Sequence, residues 1–251
     1  TSFSEILFNV TGKRLINSFL KKQPQNDILV CYEGFKFDKY YKNKIKRSKD
    51  PKNNGNGKLL TYDISKSKFL NKWLADNRDI IPVHMGGLAM KSPAYPNSKK
   101  IFKIWNRKAS KWFRKVASFH YALTTYKMKY DLIIWIDSDC YFINHLPDKV
   151  IFDIMDTNDV FYHLGRHRRL KNTGIESGFI GFKRWKGYSI LEKVFELYYN
   201  PRFRNLKRWD DGYVFRVVIE RCIECNLINP YDVIDEDHIV TNKGKKLECL
   251  G

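Results

Sequence analysis

The sequence predicts an α/β fold in which a mostly parallel central sheet is flanked by helices. Short apolar runs bounded by turn-forming residues alternate with longer stretches whose apolar residues recur every three or four positions. The chain has 251 residues, of which 43% are hydrophobic, so it can bury a sizeable core. No repeat and no linker divides it. We therefore predict a single domain over residues 1–251.

Short apolar runs predict the strands. The run DILVCYEGF predicts the first of them, and a polar stretch rich in Gly and Asn over 40–60 then predicts a loop or an insertion. A run that ends in two carboxylates, DLIIWIDSDCYF, predicts the central strand. The predicted strands lie within 27–35, 131–142, 159–164 and 177–185.

Helical spacing of apolar residues predicts four helices between these strands. The longest of them runs from Ile101 to Tyr126, carries Lys and Arg between its apolar positions, and leads into the central strand. The last begins at the sequence WDDG, where acidic residues favour a helix N-terminus. The predicted helices lie within 65–79, 101–126, 187–200 and 209–226.

The formal net charge of +19 attracts polyanions, phosphates or an anionic membrane surface. Much of this charge is Lys accompanied by Asn and Ile, a composition that AT-rich coding also produces, so the charge permits such partners without specifying one. The five cysteines are an odd number, and two of them lie in apolar runs, which predicts reduced thiols in a reducing compartment. No apolar run is long enough to cross a bilayer. We therefore expect a soluble, cytoplasmic protein as given, although a lost membrane anchor stays an alternative.

Two carboxylates at the end of the central strand, Asp137 and Asp139, are the strongest chemical feature of the sequence. Alternate residues of a strand share a face, so the two side chains point the same way and repel each other. A divalent cation would relieve this repulsion, and hard oxygen ligands suit Mg²⁺ or Mn²⁺. In the alternative interpretation, Asp137 caps a turn and Asp139 begins a loop.

The segment YDLIIWIDSDCYF resembles the Asp-x-Asp segment of nucleotide-sugar glycosyltransferases of the GT-A fold. The order of the other parts, from a first strand near Ile28 to a carboxylate-headed helix, is also similar to that family. The resemblance implies a Rossmann-like sheet, with a donor-binding half over about 1–145 and an acceptor-binding half over about 146–251. It also implies a metal-dependent hexosyl- or pentosyltransferase that acts on a glycan or glycoconjugate hydroxyl and takes its sugar from a UDP- or GDP-sugar.

The resemblance assigns roles to individual residues. Asp139 and His238, near the C-terminus, would bind the metal directly. Asp137 would instead contact the donor ribose and a water bound to the metal. The candidate catalytic residues are Asp211, Asp210 and Glu176. Asp211 would deprotonate the acceptor if the enzyme inverts, and Glu176 would contact the sugar. In the alternative interpretation Asp210 only caps the helix. The predicted donor-binding residues are Tyr32, Glu33, Arg114, Lys115, Asp137, Ser138, Gly178 and Lys245.

Two other functions remain open at this stage. The basic cluster YHLGRHRRLKN over 162–172 favours a nucleic-acid-binding protein, but this interpretation leaves the paired carboxylates unexplained. A metal-dependent nucleotidyltransferase or phosphohydrolase also uses paired carboxylates. Such an enzyme would usually need a third acidic ligand or a glycine-rich phosphate loop, and the sequence shows neither clearly. We therefore expect no nucleic acid as a partner, and peripheral association with an anionic membrane remains an option.

Overall fold

The computed structural model describes residues 1–41, 43, 57–80, 109–163, 175–227 and 230–232. Its strands are β1 (Ser2–Phe3), β2 (Ile28–Tyr32), β3 (Leu59–Asp63), β4 (Leu132–Ile136), β5 (Val160–His163), β6 (Glu176–Lys183) and β7 (Pro230–Asp232). Its α-helices are α1 (Glu5–Leu7), α2 (Lys13–Lys22), α3 (Lys68–Asp76), α4 (Ala109–Tyr126), α5 (Asp148–Met155), α6 (Lys186–Tyr199) and α7 (Asp211–Glu224). A π-helical turn, Phe8–Gly12, joins α1 to α2. The predicted α/β class is confirmed.

The described strands form two sheets rather than the one central sheet that the sequence predicts. In the first sheet the order is β1-β2-β3 and all pairs are parallel. In the second the order is β4-β6-β5-β7, and β6 runs antiparallel to both of its neighbours. A cavity of about 530 Å³, lined by apolar side chains of β2 and β4, lies between the two sheets. Strands β2 and β4 belong to different sheets and are not paired with each other.

Two apolar cores pack on these strands. One brings helices α3, α4, α6 and α7 together around large buried side chains such as Trp73, Phe113 and Phe215. The other packs α2 and α5 against β2 around Phe8, Phe19 and neighbouring side chains. Each core takes residues from both sides of residue 145. The division into a donor-binding and an acceptor-binding half stays a prediction.

The N-terminal elements differ most from the prediction. The strand at Ile28–Tyr32 is not the first, because β1 precedes it and pairs with it in parallel, Ser2 opposite Cys31. Two residues are too few to give an apolar pattern, so β1 could not be predicted. Strand β3 begins inside the stretch that was expected to be a loop, and its sequence LLTYD is half polar. Helices α2 and α5 are absent from the prediction, although their apolar residues have helical spacing. Leu15, Ile16 and Phe19 are buried on one face of α2.

The other predicted elements are present, with ends that differ by a few residues. Helix α4 begins at Ala109 in the described part of the chain, since 101–108 lie outside it. The four described cysteines, Cys31, Cys140, Cys222 and Cys225, are free thiols, as expected. No helix among the described residues is long and apolar enough to cross a membrane.

The junction between α7 and β6 depends on Gly212, whose carbonyl accepts from the backbone N–H of Ile175 at 3.1 Å. A Cβ atom at position 212 would lie 2.3 Å from the carbonyl oxygen of Ile175. We expect Gly212→Ala to destabilise the protein by about 1–3 kcal/mol, because the overlap outweighs the gain in helix propensity. Urea unfolding measures this change in the free energy of unfolding.

The matched control is Ser189→Ala, because the Ser189 hydroxyl donates to Lys186 within helix α6 and the new side chain meets no such overlap. This variant should stay within about 0.5 kcal/mol of the parent. If Gly212→Ala proved as stable as the control, the close approach of α7 to β6 would not need a glycine.

Candidate active site

Strand β4 carries both carboxylates of the Asp-x-Asp segment to its C-terminal end. The strand ends at Ile136, and the backbone N–H of Asp137 donates to the carbonyl of Gly178 on β6 at 2.8 Å. Asp139 lies two residues beyond and is exposed. It makes no hydrogen bond or ion pair with any residue that the structure describes. Its carboxylate is therefore available to a ligand.

The two oxygens of Asp137 have different surroundings. Oδ1 accepts from the indole N–H of Trp135 and lies 3.3 Å from the ammonium of Lys115. Oδ2 faces Gly178, where a Cβ atom would lie only 3.3 Å from it. Lys115 thus supplies part of the positive charge that was expected beside Asp137. The absence of a side chain at Gly178 leaves room for the second oxygen.

Lys115 is the centre of a buried polar network. Its ammonium lies 2.7 Å from Asp211 Oδ2 and donates to the carbonyl of Ser177 at 2.6 Å. The hydroxyl of Ser177 donates to the same oxygen of Asp211 at 2.7 Å. The side chains of Lys115 and Asp211 are 6% and 5% exposed, so this ion pair is shielded from water. The network joins α4, β6 and α7 behind the end of β4.

Burial disfavours both charges of this pair, but their mutual attraction is stronger. Burial alone would lower the pKa of Lys115, yet the charges of Asp211 and then Asp137 raise it above its ordinary value. Burial alone would raise the pKa of Asp211, yet Lys115 and the bond from Ser177 hold it below its ordinary value. Both groups are therefore ionised throughout the neutral range.

Asp210 caps helix α7, which is the alternative to its predicted catalytic role. Its Oδ1 accepts from the backbone N–H of Tyr213 at 3.1 Å, and Arg208 donates to both of its oxygens at 2.8 and 2.9 Å. Burial raises the pKa of Asp210 in spite of these bonds. The cap and Arg208 therefore engage both oxygens of Asp210.

A second ion pair lies next to the network, at the end of β2. Arg114 donates through Nε and Nη2 to the two oxygens of Glu33, at 2.7 and 2.8 Å, and the pair is partly buried. Tyr32 stacks on Phe37 with ring centroids 5.3 Å apart and meets Phe35 edge-on. Burial raises the pKa of the Tyr32 phenol. Tyr32 is thus packed in an aromatic cluster.

The structure brings four of the predicted site residues into direct contact: Lys115, Asp137, Gly178 and Asp211. Glu176 is the first residue of β6 and precedes Ser177, and Ser138 lies between the two carboxylates. His238 and Lys245 lie outside the described residues. Among the residues described, no three His, Cys, Asp or Glu side chains cluster as a ready-made metal site.

Sequence reasoning missed two members of the site, Trp135 and Ser177. Trp135 is two residues before Asp137 on the same strand, so its indole lies on the same face as the carboxylate that it contacts. This period-two spacing was a usable signal. No comparable signal existed for Ser177, whose partner Asp211 is 34 residues away in sequence.

Comparisons with known proteins give a likeness to solved structures alone. No family model matches the chain, and no curated protein matches it. Among solved structures, the apo structure of the bifunctional glycosyltransferase WbbM is similar over 99% of this chain, with a TM-score of 0.48 and 15% sequence identity. The chain spans 42% of the length of that protein. The likeness concerns the overall fold.

Proposed function

We propose that this protein is a metal-dependent glycosyltransferase that moves a sugar from a nucleoside diphosphate sugar to a hydroxyl of a glycan or glycoconjugate. The observation that carries the proposal is the end of β4, where Asp139 is exposed and without a described partner while Asp137 is oriented by Lys115 and Trp135. A fixed carboxylate beside a free one suits a cation that also binds a substrate diphosphate.

The donor set fits Mn²⁺ or Mg²⁺. Asp139 would hold the ion directly, whereas Asp137, whose Oδ1 is already engaged, would contribute through Oδ2 or a water. Carboxylate oxygens are the hard ligands that these ions prefer. We propose His238 as a third ligand. When bound, the ion supplies charge that screens the diphosphate and stabilises it as a leaving group.

The basic residues of α4 support the site indirectly in this proposal. Lys115 is too deeply buried and too fully paired to reach a diphosphate, so we assign it the role of fixing Asp137 against β6. Arg114 holds Glu33 in place at the end of β2 through two parallel bonds. We retain Tyr32, Ser138, Gly178 and Lys245 as proposed donor contacts.

Acceptor activation is proposed for Asp211 if the reaction inverts; because its carboxylate is as buried as Lys115, this role requires the network to open toward the acceptor. Its lowered pKa keeps it ionised, which is the form that can accept a proton. The same ion pair with Lys115 makes it a weak base, so an acceptor hydroxyl would need to lose its proton as the new bond forms. If the reaction retains configuration, Glu176 on β6 is the proposed contact to the transferred sugar.

One panel of ligands tests the function. Calorimetry with UDP- and GDP-sugars in the presence of Mn²⁺ should show one donor that binds only with metal and is released by a chelator. Slow hydrolysis of that donor should follow the same metal dependence. If no sugar nucleotide bound and the protein instead bound nucleic acid at physiological salt, the glycosyltransferase proposal would be overturned in favour of a nucleic-acid-binding protein.

A further inference from the structure

The first helical segment exposes an unusual row of apolar side chains. Ile6, Leu7 and Val10 are 59%, 40% and 68% exposed. Residues 6 and 10 are one turn apart, and residue 7 lies between them on the same side, so the three form one stripe. Single exposed apolar residues are common on soluble proteins, but a contiguous group indicates an interaction surface.

Aromatic rings and cations continue this stripe. Arg14, one turn beyond Val10, stacks on the exposed ring of Tyr141, with the guanidinium carbon 3.4 Å from the ring centroid. The ammonium of Lys13 lies 4.7 Å from the ring centroid of Tyr40. We call these six residues the N-terminal face: Ile6, Leu7, Val10, Lys13, Arg14 and Tyr141.

The N-terminal face adjoins the candidate active site. Tyr141 follows Asp139 by two residues, and the backbone N–H of the next residue, Phe142, donates to the hydroxyl of Ser18 on α2 at 2.9 Å. The rings of Phe142 and Phe19 pack edge-to-face. These contacts fix the loop after the two carboxylates onto α2, so whatever binds the N-terminal face lies beside the site.

The charge around the N-terminal face is mostly positive. Lys36 and Lys39 accompany Phe35, Phe37 and Tyr40, whose rings pack against Phe8 of the same helical segment. With Lys13 and Arg14 they make four cations, against the two carboxylates of Glu5 and Asp38 in the same segments. The whole chain carries +19. Apolar and aromatic side chains surrounded by cations are typical of surfaces that lie in the interface of an anionic membrane.

We propose that the N-terminal face docks onto the surface of an anionic lipid bilayer. Ile6, Leu7 and Val10 enter the boundary between headgroups and acyl chains, and Lys13 and Arg14 meet the lipid phosphates. This inference rests on the proposed function in one respect: with the face seated on a membrane, Asp139 lies close to the bilayer, so the acceptor hydroxyl belongs to a glycan carried by a lipid.

Co-sedimentation with vesicles tests the docking. The protein should bind vesicles of phosphatidylcholine mixed with phosphatidylglycerol, bind pure phosphatidylcholine weakly, and dissociate as salt is raised. In the double variant Ile6→Asp/Val10→Asp the partition coefficient should fall by at least about tenfold, because two apolar anchors are lost and two negative charges face the lipid. Circular dichroism checks that the variant is folded.

The matched control is Met128→Asp/Phe152→Asp. These residues are 70% and 60% exposed and do not belong to the N-terminal face, so the control makes the same chemical change elsewhere on the surface. It should keep most of the binding. An equal loss in both variants would show that net charge alone acts, and unchanged binding by Ile6→Asp/Val10→Asp would also overturn the proposal.

Two further readouts separate this proposal from others. If the parent protein dimerised, and Ile6→Asp/Val10→Asp abolished the dimer while vesicle binding persisted, the face would be a contact between two copies and the docking proposal would fail. Metal-dependent hydrolysis of a soluble donor should be unchanged in Ile6→Asp/Val10→Asp. If the parent protein hydrolysed the donor but did not bind vesicles, only the docking proposal would be refuted. If it bound vesicles but no donor, only the proposed function would be refuted.

Discussion

Asp139→Ala should lose metal-dependent binding of the sugar nucleotide, with metal affinity reduced by at least about 100-fold. Asp139 is exposed and has no hydrogen bond or ion pair among the described residues, so its removal should leave the fold intact. Replacing a residue that merely supports a metal ligand typically reduces affinity by about 10- to 100-fold, and a direct ligand should matter at least as much. Calorimetry with Mn²⁺ and the donor identified from the panel measures the effect.

The matched control for this variant is Asp131→Ala, at the opposite end of the β4 segment. Asp131 is also exposed and pairs with Arg184 at 2.6 Å on the surface, so its removal changes the charge equally and should alter stability by at most about 1 kcal/mol. It should bind metal and donor like the parent. Full metal-dependent turnover by Asp139→Ala would remove the basis of the proposed function.

Lys115→Met should be the most destabilising single substitution near the site, by about 3–5 kcal/mol, because it leaves the carboxylate of Asp211 buried without its cation. Met fills much of the volume of the Lys side chain, so the loss reports charge rather than a cavity. The ordering of Asp137 should weaken as well, since Lys115 contacts both carboxylates. Urea unfolding measures the stability, and calorimetry with Mn²⁺ measures the site.

The double variant Lys115→Met/Asp211→Asn separates the two effects. Neutralising Asp211 removes the unpaired buried charge, so most of the lost stability should return. Metal affinity should stay reduced, because the contact from Lys115 to Asp137 is still missing. If Lys115→Met were as stable as the parent, the pair would not be a shielded ion pair. If the double variant recovered full metal affinity, Lys115 would not position Asp137.

Much of the candidate site could be predicted from local sequence. A strand of apolar residues that ends in two carboxylates specifies where Asp137 and Asp139 lie, and Asp210 before a helical pattern specifies a cap. Both predictions depend on neighbours within a few residues. The partners of Lys115 could not be predicted in this way, because its contacts with Asp137 and Ser177 span 22 and 62 residues of chain.

The roles first expected of Arg114 and Lys115 show the same limit. A basic pair on an amphipathic helix near a predicted phosphate site indicated ligand contacts. In the structure, Arg114 is paired with Glu33 and Lys115 is buried against Asp211, so both support other side chains. Helical periodicity indicates which side of α4 is apolar. It does not indicate which side chains of other elements contact Arg114 and Lys115.

The sequence by itself determined the α/β class, the order of its main helices and strands, and the demand for a cation beside the paired carboxylates. These properties follow from apolar periodicity and from electrostatic repulsion between near neighbours in the chain. Only the tertiary structure decided that β1 precedes the expected first strand, that the described strands form two sheets, and that Lys115 joins Asp137 to Asp211. The physical reason is that buried charges are stabilised by partners close in space, and folding brings such partners together from distant parts of the chain.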